Sequence, residues 1–255
     1  MKISPNERMA INLVIISISF LVWILLLINP GHITTIKHCC ISDSGPSAAS
    51  LRMLLEMNPI SNLLVGWGLM VVAMMLPKLI IPIQHIYAHS FRRRRILSAL
   101  LFVFGYIAVW MVAGIIMTSA ILALHLLMPD SYIPAIGLGL IAIVWQFSPI
   151  KQRFLNLGHD HRTLAAFGWA AYRDALRFGV MHGLWCVGSG WALMLFPMLL
   201  PIGHNLAMLI VTVLMLSEHL EHPKMPCWRI NISGKLLRII IAQTQVKFDR
   251  ITFAR

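Results

Sequence analysis

Residues 9–29 read MAINLVIISISFLVWILLLIN, a run of 21 without a formal charge. A helix rises about 1.5 Å per residue, so this stretch is long enough to cross a hydrocarbon core of about 30 Å. It is too long for a signal-peptide core, and Asn29-Pro30-Gly31-His32 is a poor small-residue cleavage site. It is therefore expected to stay as a first membrane span. The rest of the chain repeats the signal. Of its 255 residues 58% are hydrophobic and 12% charged, and the mean hydropathy is +0.79. An ordinary soluble domain has about 45–50% apolar and about 25% charged residues. A soluble globule is excluded.

Further spans are predicted at residues 59–83, 96–124, 131–150, 178–200 and 204–223. The last two are separated by Pro197, Pro201, Gly203 and Asn205, which read as a tight turn. The predicted fold is all-α: a polytopic protein with about six transmembrane helices in one bundle over residues 1–223, followed by a basic tail at 224–255. Lys and Arg accumulate on the cytoplasmic side of membranes. With the N-terminus inside, eighteen of the 21 Lys and Arg are cytoplasmic, two (Lys37 and Arg52) are outside, and Lys78 ends the second span. Both termini are thus expected in the cytoplasm, and a bacterial inner membrane is the expected location. The net charge of +12 is read as topology signal and contact with anionic headgroups, worth about 1 kcal/mol per basic residue near the surface. Nucleic acid is not expected as a partner. The loop at 151–177 carries Leu155, Leu164, Phe167, Tyr172 and Leu176 among basic residues, the pattern of an amphipathic interfacial helix.

Polar groups inside a bilayer are costly and mark functional positions. On the predicted topology His85, His89, Gln146, His182, Cys186, Glu218, His219 and His222 all fall in the cytoplasmic third. His182 and Cys186 are four residues apart and stack on one helix face. Measured from the turn, Cys186 lies 15 residues before Pro201 and Glu218 lies 13 after Asn205, a difference of about 3 Å in depth. Imidazole, thiol and carboxylate at one depth are ligands for zinc, or for copper with adjusted geometry. The alternative for each is a hydrogen-bonded side chain or a helix-end ion pair. Among the 16 methionines, Met70 and Met74 share a face and offer soft thioethers suited to Cu(I), or they fill the core. Outside, His38, Cys39 and Cys40 cluster in a loop of turn residues and form a candidate acceptor site for a soft ion, with an intermolecular disulfide or free thiols as the alternatives. No phosphate loop, nucleophile elbow or carboxylate pair is present. An enzyme is not expected, nor an organic cofactor.

Several segments resemble a known family. Trp67-x-x-Met70-x-x-Ala73-Met74-Met75-x-Pro77, Gly105-Tyr106-x-x-x-Trp110 and Gln146-x-x-Pro149-x-Lys151 are similar to motifs of the bacterial family of predicted metal-binding integral membrane proteins. The resemblance covers about residues 60–223. Two of the family's span-five cysteines are Ser189 and Gly190 here, cysteines that often follow the fourth-span Lys are missing at Phe154 and its neighbours, and the family's Glu-Lys pair ending span six is Glu218-His219. What the resemblance implies is metal binding, with Cys186 retained and His182, His219 and His222 as nitrogen donors in place of the missing sulfurs.

The reading that follows is an integral membrane protein that binds or passes a soft or borderline ion, copper or zinc, with copper preferred. One alternative is a non-catalytic, metal-free membrane subunit that assembles with a partner complex. A second is a proton-coupled transporter of a small solute using Glu218.

Overall fold

The computed structural model describes residues 3–28, 48–128, 131–160, 164–165, 168–200 and 203–228. Their regular structure is all helical, with no strand among them. The helices are α1 (Pro5–Ile28), α2 (Ala48–Met57), α3 (Ile60–Met75), α4 (Ile80–His89), α5 (Arg95–Leu127), α6 (Ile133–Gln146), α7 (Pro149–Gly158), α8 (Gly168–Met198) and α9 (His204–His219). Four segments are long and apolar enough to cross a membrane: Pro5–Ile28, Ile60–His89, Arg95–Leu124 and Gly168–Met198. A fifth arises if α6 and α7, bent by 66° at their junction, are counted as one crossing.

Local chemistry explains where the described elements depart from the predicted ones. The second span continues through a 3-10 turn, Leu76–Leu79, into α4, because Pro77 lacks the N–H that would carry the α-helical ladder onward. The expected straight fourth span instead ends at Gln146. There Ser148 caps α7 by accepting a hydrogen bond from the Ile150 N–H at 3.1 Å, and Pro149 occupies the first turn, a favoured start for a new helix. α8 begins ten residues before the predicted 178, at Gly168, and takes up the end of the basic loop. α9 starts behind Gly203, whose φ of 81° is a left-handed conformation, and has 16 residues. α2, in the loop expected to lie outside, has no counterpart in the predicted spans.

α8 is the centre of the bundle and packs on α5, α6, α7 and α9. Its contact with α5 is the closest. A Cβ on Gly179 would stand 2.1 Å from the Phe102 carbonyl oxygen, so the two backbones approach as only a bare glycine permits. The adjoining core holds Trp67, Phe102, Tyr106, Trp110, Met70, Met74 and Met75, all essentially inaccessible. The Trp67 indole donates to the Trp110 carbonyl at 2.8 Å and lies against Gly114, where a Cβ would meet it at 2.3 Å. α1 lies outside α3 and α4. It is tied there by Ser19 Oγ donating to the Ala73 carbonyl (2.6 Å), by Gln84 donating to Asn12 (2.7 Å) and by the Arg95–Glu7 ion pair (2.7 Å). Leu13, Phe20, Phe104, Ile116, Ile136 and Leu206 point outward and are exposed, a surface suited to lipid.

Candidate metal centre

α8 turns His182 and Cys186 inward on one face, and both are buried. Cys186 Sγ accepts a hydrogen bond from Tyr106 Oη at 3.1 Å and lies 4.0 Å from Met75 Sδ, to which the thiol donates. Tyr106 comes from α5, and Met75 is the last residue of α3 before the Leu76–Leu79 turn. Three helices thus converge on one sulfur atom. The His182 ring sits one turn away, 5.9 Å from the rings of Phe102 and Tyr106 and 6.0 Å from Phe178. It meets the His219 ring edge-on at 6.3 Å. His182, Cys186, Ser189 and His219 line a cavity of about 20 Å³ together with Lys78, room for a water or a bare ion.

Glu218 belongs to a second cluster. Its Oε1 accepts from Lys151 Nζ at 2.8 Å and from the Gln146 amide, and Lys151 also donates to Gln146 Oε1. Lys151 and Glu218 are both buried, with side chains 2% and 9% exposed. A buried charge pair of this kind is sustained by additional hydrogen bonds, which Gln146 provides. His222 joins Glu218 in lining an adjacent polar cavity of about 30 Å³. His159 stands between the clusters. It stacks on the His219 ring at 5.4 Å, and its Nε2 is 3.0 Å from the His219 carbonyl oxygen.

The residues expected to share one site therefore lie in two neighbouring cavities: His182, Cys186 and His219 in the first, Glu218 and His222 in the second. Met70 and Met74 are core residues 1% exposed. His38, Cys39 and Cys40 lie outside the described residues. His85 and His89 lie ring to ring near the end of α4, with centroids 4.2 Å apart and planes tilted by 39°. Sequence reasoning passed over Met75, Tyr106 and Lys151. Met75 and Tyr106 each stood inside a quoted motif. Lys151 also stood inside a quoted motif but was otherwise counted as a topological charge. Among the described residues no three His, Cys, Asp or Glu side chains are grouped so as to hold a metal ion. What is present is a thiol and a thioether, the soft donors that select Cu(I).

The architecture is that of an all-helical protein with several helices apolar enough to span a membrane, and its core holds a buried thiol–thioether pair. A family model described as PpoB2, copper chaperone, matches residues 64–239, and the chain belongs to this family. The match contains Met75, Tyr106, His182, Cys186 and Glu218, and the family is metal-related, as the motif resemblance implied. No curated protein and no solved structure matches the chain.

Proposed function

We propose that the protein is a membrane-embedded copper chaperone that carries Cu(I) as cargo between Cys186 Sγ and Met75 Sδ. The observation that carries this reading is the 4.0 Å separation of the two sulfurs. Metal–sulfur bonds of about 2.3 Å drawn from both atoms meet at a common point at that separation. The thiol hydrogen already lies between them. Cu(I) entering there displaces that proton, which leaves to water or to the ligand that delivers the ion, so that one positive charge replaces another and the thiolate–Cu(I) unit is neutral. Neutrality matters because an unpaired ion in a low-dielectric interior is strongly disfavoured. Tyr106 Oη, donating to Sγ, stabilises the thiolate that ligates the ion.

Two protein sulfurs leave Cu(I) open to a third donor. His182 is one turn away on the same helix face, and a donor from an acceptor protein would serve equally; an open position is what ligand exchange to an acceptor needs. Glu218, held by Lys151 and Gln146, acts in this reading as the ion pair that fixes α9 to α7. It is neither a metal ligand nor a proton relay.

The 18-to-2 division of basic residues supports six crossings with both termini in the cytoplasm of a bacterium, the bent α6–α7 pair forming the fourth and α9 with the residues after it the sixth. Reporter fusions after Arg95 and Lys224 then read cytoplasm and one near Ser44 reads exterior; a cytoplasmic signal at Ser44 refutes this orientation. The metal reading is tested by copper content. Protein purified from copper-supplemented cells should hold about one copper per chain and Cys186→Ala almost none, while equal copper in both defeats the proposal.

A further inference from the structure

His204 opens α9 and is 6% exposed. Its Nδ1 lies 2.7 Å from the Pro197 carbonyl oxygen in the last turn of α8. The Leu200 N–H reaches that carbonyl at 3.2 Å, and Pro201, next in the chain, has no N–H to offer it. A carbonyl only accepts, so Nδ1 carries the ring hydrogen and Nε2 presents a lone pair. Nε2 is buried and has no hydrogen-bond partner among the described residues. A buried acceptor left unpaired is costly. It calls for a proton donor or a cation, and it repels an anion.

The second observation is the side chain one turn further along α9. Met208 shares the buried face of the helix with His204 and is 1% exposed. Residues four apart are neighbours on a helix, with Cβ atoms about 5–6 Å apart. A long helical side chain leans toward the N-terminus, so the Met208 thioether lies over the turn that holds His204. Further along the same face Met215 fills the space beside Gly190 of α8, where a Cβ would stand 2.2 Å from its methyl group, so this face is turned to α8. Imidazole nitrogen and thioether sulfur make a soft donor pair. A ring hydrogen held on Nδ1 by a carbonyl is also how metal-binding histidines are oriented.

We propose that His204 Nε2 and Met208 Sδ form a second Cu(I) station, at the opposite end of the α8–α9 pair from Cys186. Cys186 lies 11 residues before Pro197, about 16 Å along the helix axis, so the two stations cannot share one ion. Both donors of the second are neutral. The ion there keeps its positive charge, whereas the Cys186 thiolate cancels it, and the positive end of the α9 dipole weakens binding further. The second station is therefore a place of exchange that loses its ion on purification. Its position beside the exposed Gly203 keeps the retained charge near water. Zinc is disfavoured, because a structural site would need four ligands drawn from thiolate, imidazole and carboxylate. The inference takes the identity of the ion from the copper reading, and the residues it uses are ones that reading leaves unused.

Titration of the full chain in detergent with Cu(I), against a chromophoric chelator, tests this. The wild type should take up a second equivalent, bound at least about tenfold more weakly than the first. Met208→Leu should lose the second and keep the first. His204→Asn, whose amide can still donate to the Pro197 carbonyl, should do the same. In nitrogen NMR spectra of histidine-labelled protein, His204 Nε2 should shift with the second equivalent and not with the first. Should His204→Asn fail to fold, Met208→Leu and this shift decide. The proposal is overturned if the wild type binds one copper alone, or if either folded variant binds the second as tightly as the wild type; loss of the tight equivalent in Cys186→Ala would then leave the sulfur pair standing. A tight equivalent that survives Cys186→Ala, with the weak one lost in Met208→Leu, would refute the sulfur pair and uphold the second station.

Discussion

Tyr106 Oη lies 3.1 Å from Cys186 Sγ and donates a hydrogen bond to it across the α5–α8 interface. The contact exists because the two helices are drawn together at Gly179, about two turns before Cys186 on α8, where the Phe102 carbonyl occupies the space of a side chain. Phe102 and Tyr106 are one turn apart on α5, so the crossing that admits the backbone also aims the phenol. On the proposed copper reading, backbone packing and metal chemistry meet at this point, and substitutions can separate them.

Tyr106→Phe removes the donor and keeps the ring. A hydrogen bond to a charged acceptor is worth about 1.5–3 kcal/mol, so Cu(I) affinity should fall roughly 10- to 100-fold. Competition with a chromophoric Cu(I) chelator measures this, with helical content checked by circular dichroism. Unchanged affinity in a folded variant means that the phenol does not support the thiolate.

Glu218→Gln leaves Lys151 buried without its counter-ion, which should cost about 3–5 kcal/mol. Lys151→Met should cost a similar amount, and the double variant Lys151→Met/Glu218→Met should recover most of the loss. A double-mutant cycle by thermal unfolding in detergent reads the coupling. The folded double variant should also keep its copper, and copper lost from that variant would make Glu218 part of the metal site after all.

Gly179→Ala places a methyl group 2.1 Å from a backbone oxygen that has no flexible side chain to move aside. Overpacking of this kind costs about 1–3 kcal/mol, and the lower unfolding temperature should come with weakened copper binding as α5 and α8 part. Gly137→Ala is the control, because its Cβ would meet nothing within 4 Å. It should be neutral or slightly stabilising, since alanine is the better helix former. Equal effects at the two positions would remove the crossing from the explanation.

Hydropathy was sufficient to locate residues 9–29 and the helical character of the chain, because a charge-free run of that length has few other uses. It could not locate the bend after Gln146. Ser148 and Pro149 carried the signals of a helix start, but an uninterrupted apolar count runs straight over them. The pairing of His182 with Cys186 was legible because both lie on one helix at a spacing of four. Met75 was not, since the same spacing rule selects Met70 and Met74 on α3. Only the rotation of α3 against α8, set by packing around Trp67 and Trp110, decides which methionine meets the thiol. Lys151 was hidden for a different reason: its charge served the topology argument equally well, and its burial against Glu218 depends on the turn of α7 that the sequence reading ran through.

The most direct test of the copper account is the X-ray absorption spectrum of the copper-loaded protein at the copper edge. The account predicts Cu(I) with two sulfur neighbours at about 2.3 Å, one of them lost in Met75→Leu, a change of shape small enough for the core to tolerate, with both retained in Met70→Leu and Met74→Leu. A copper shell made only of nitrogen and oxygen, or a spectrum indifferent to Met75→Leu, would contradict it.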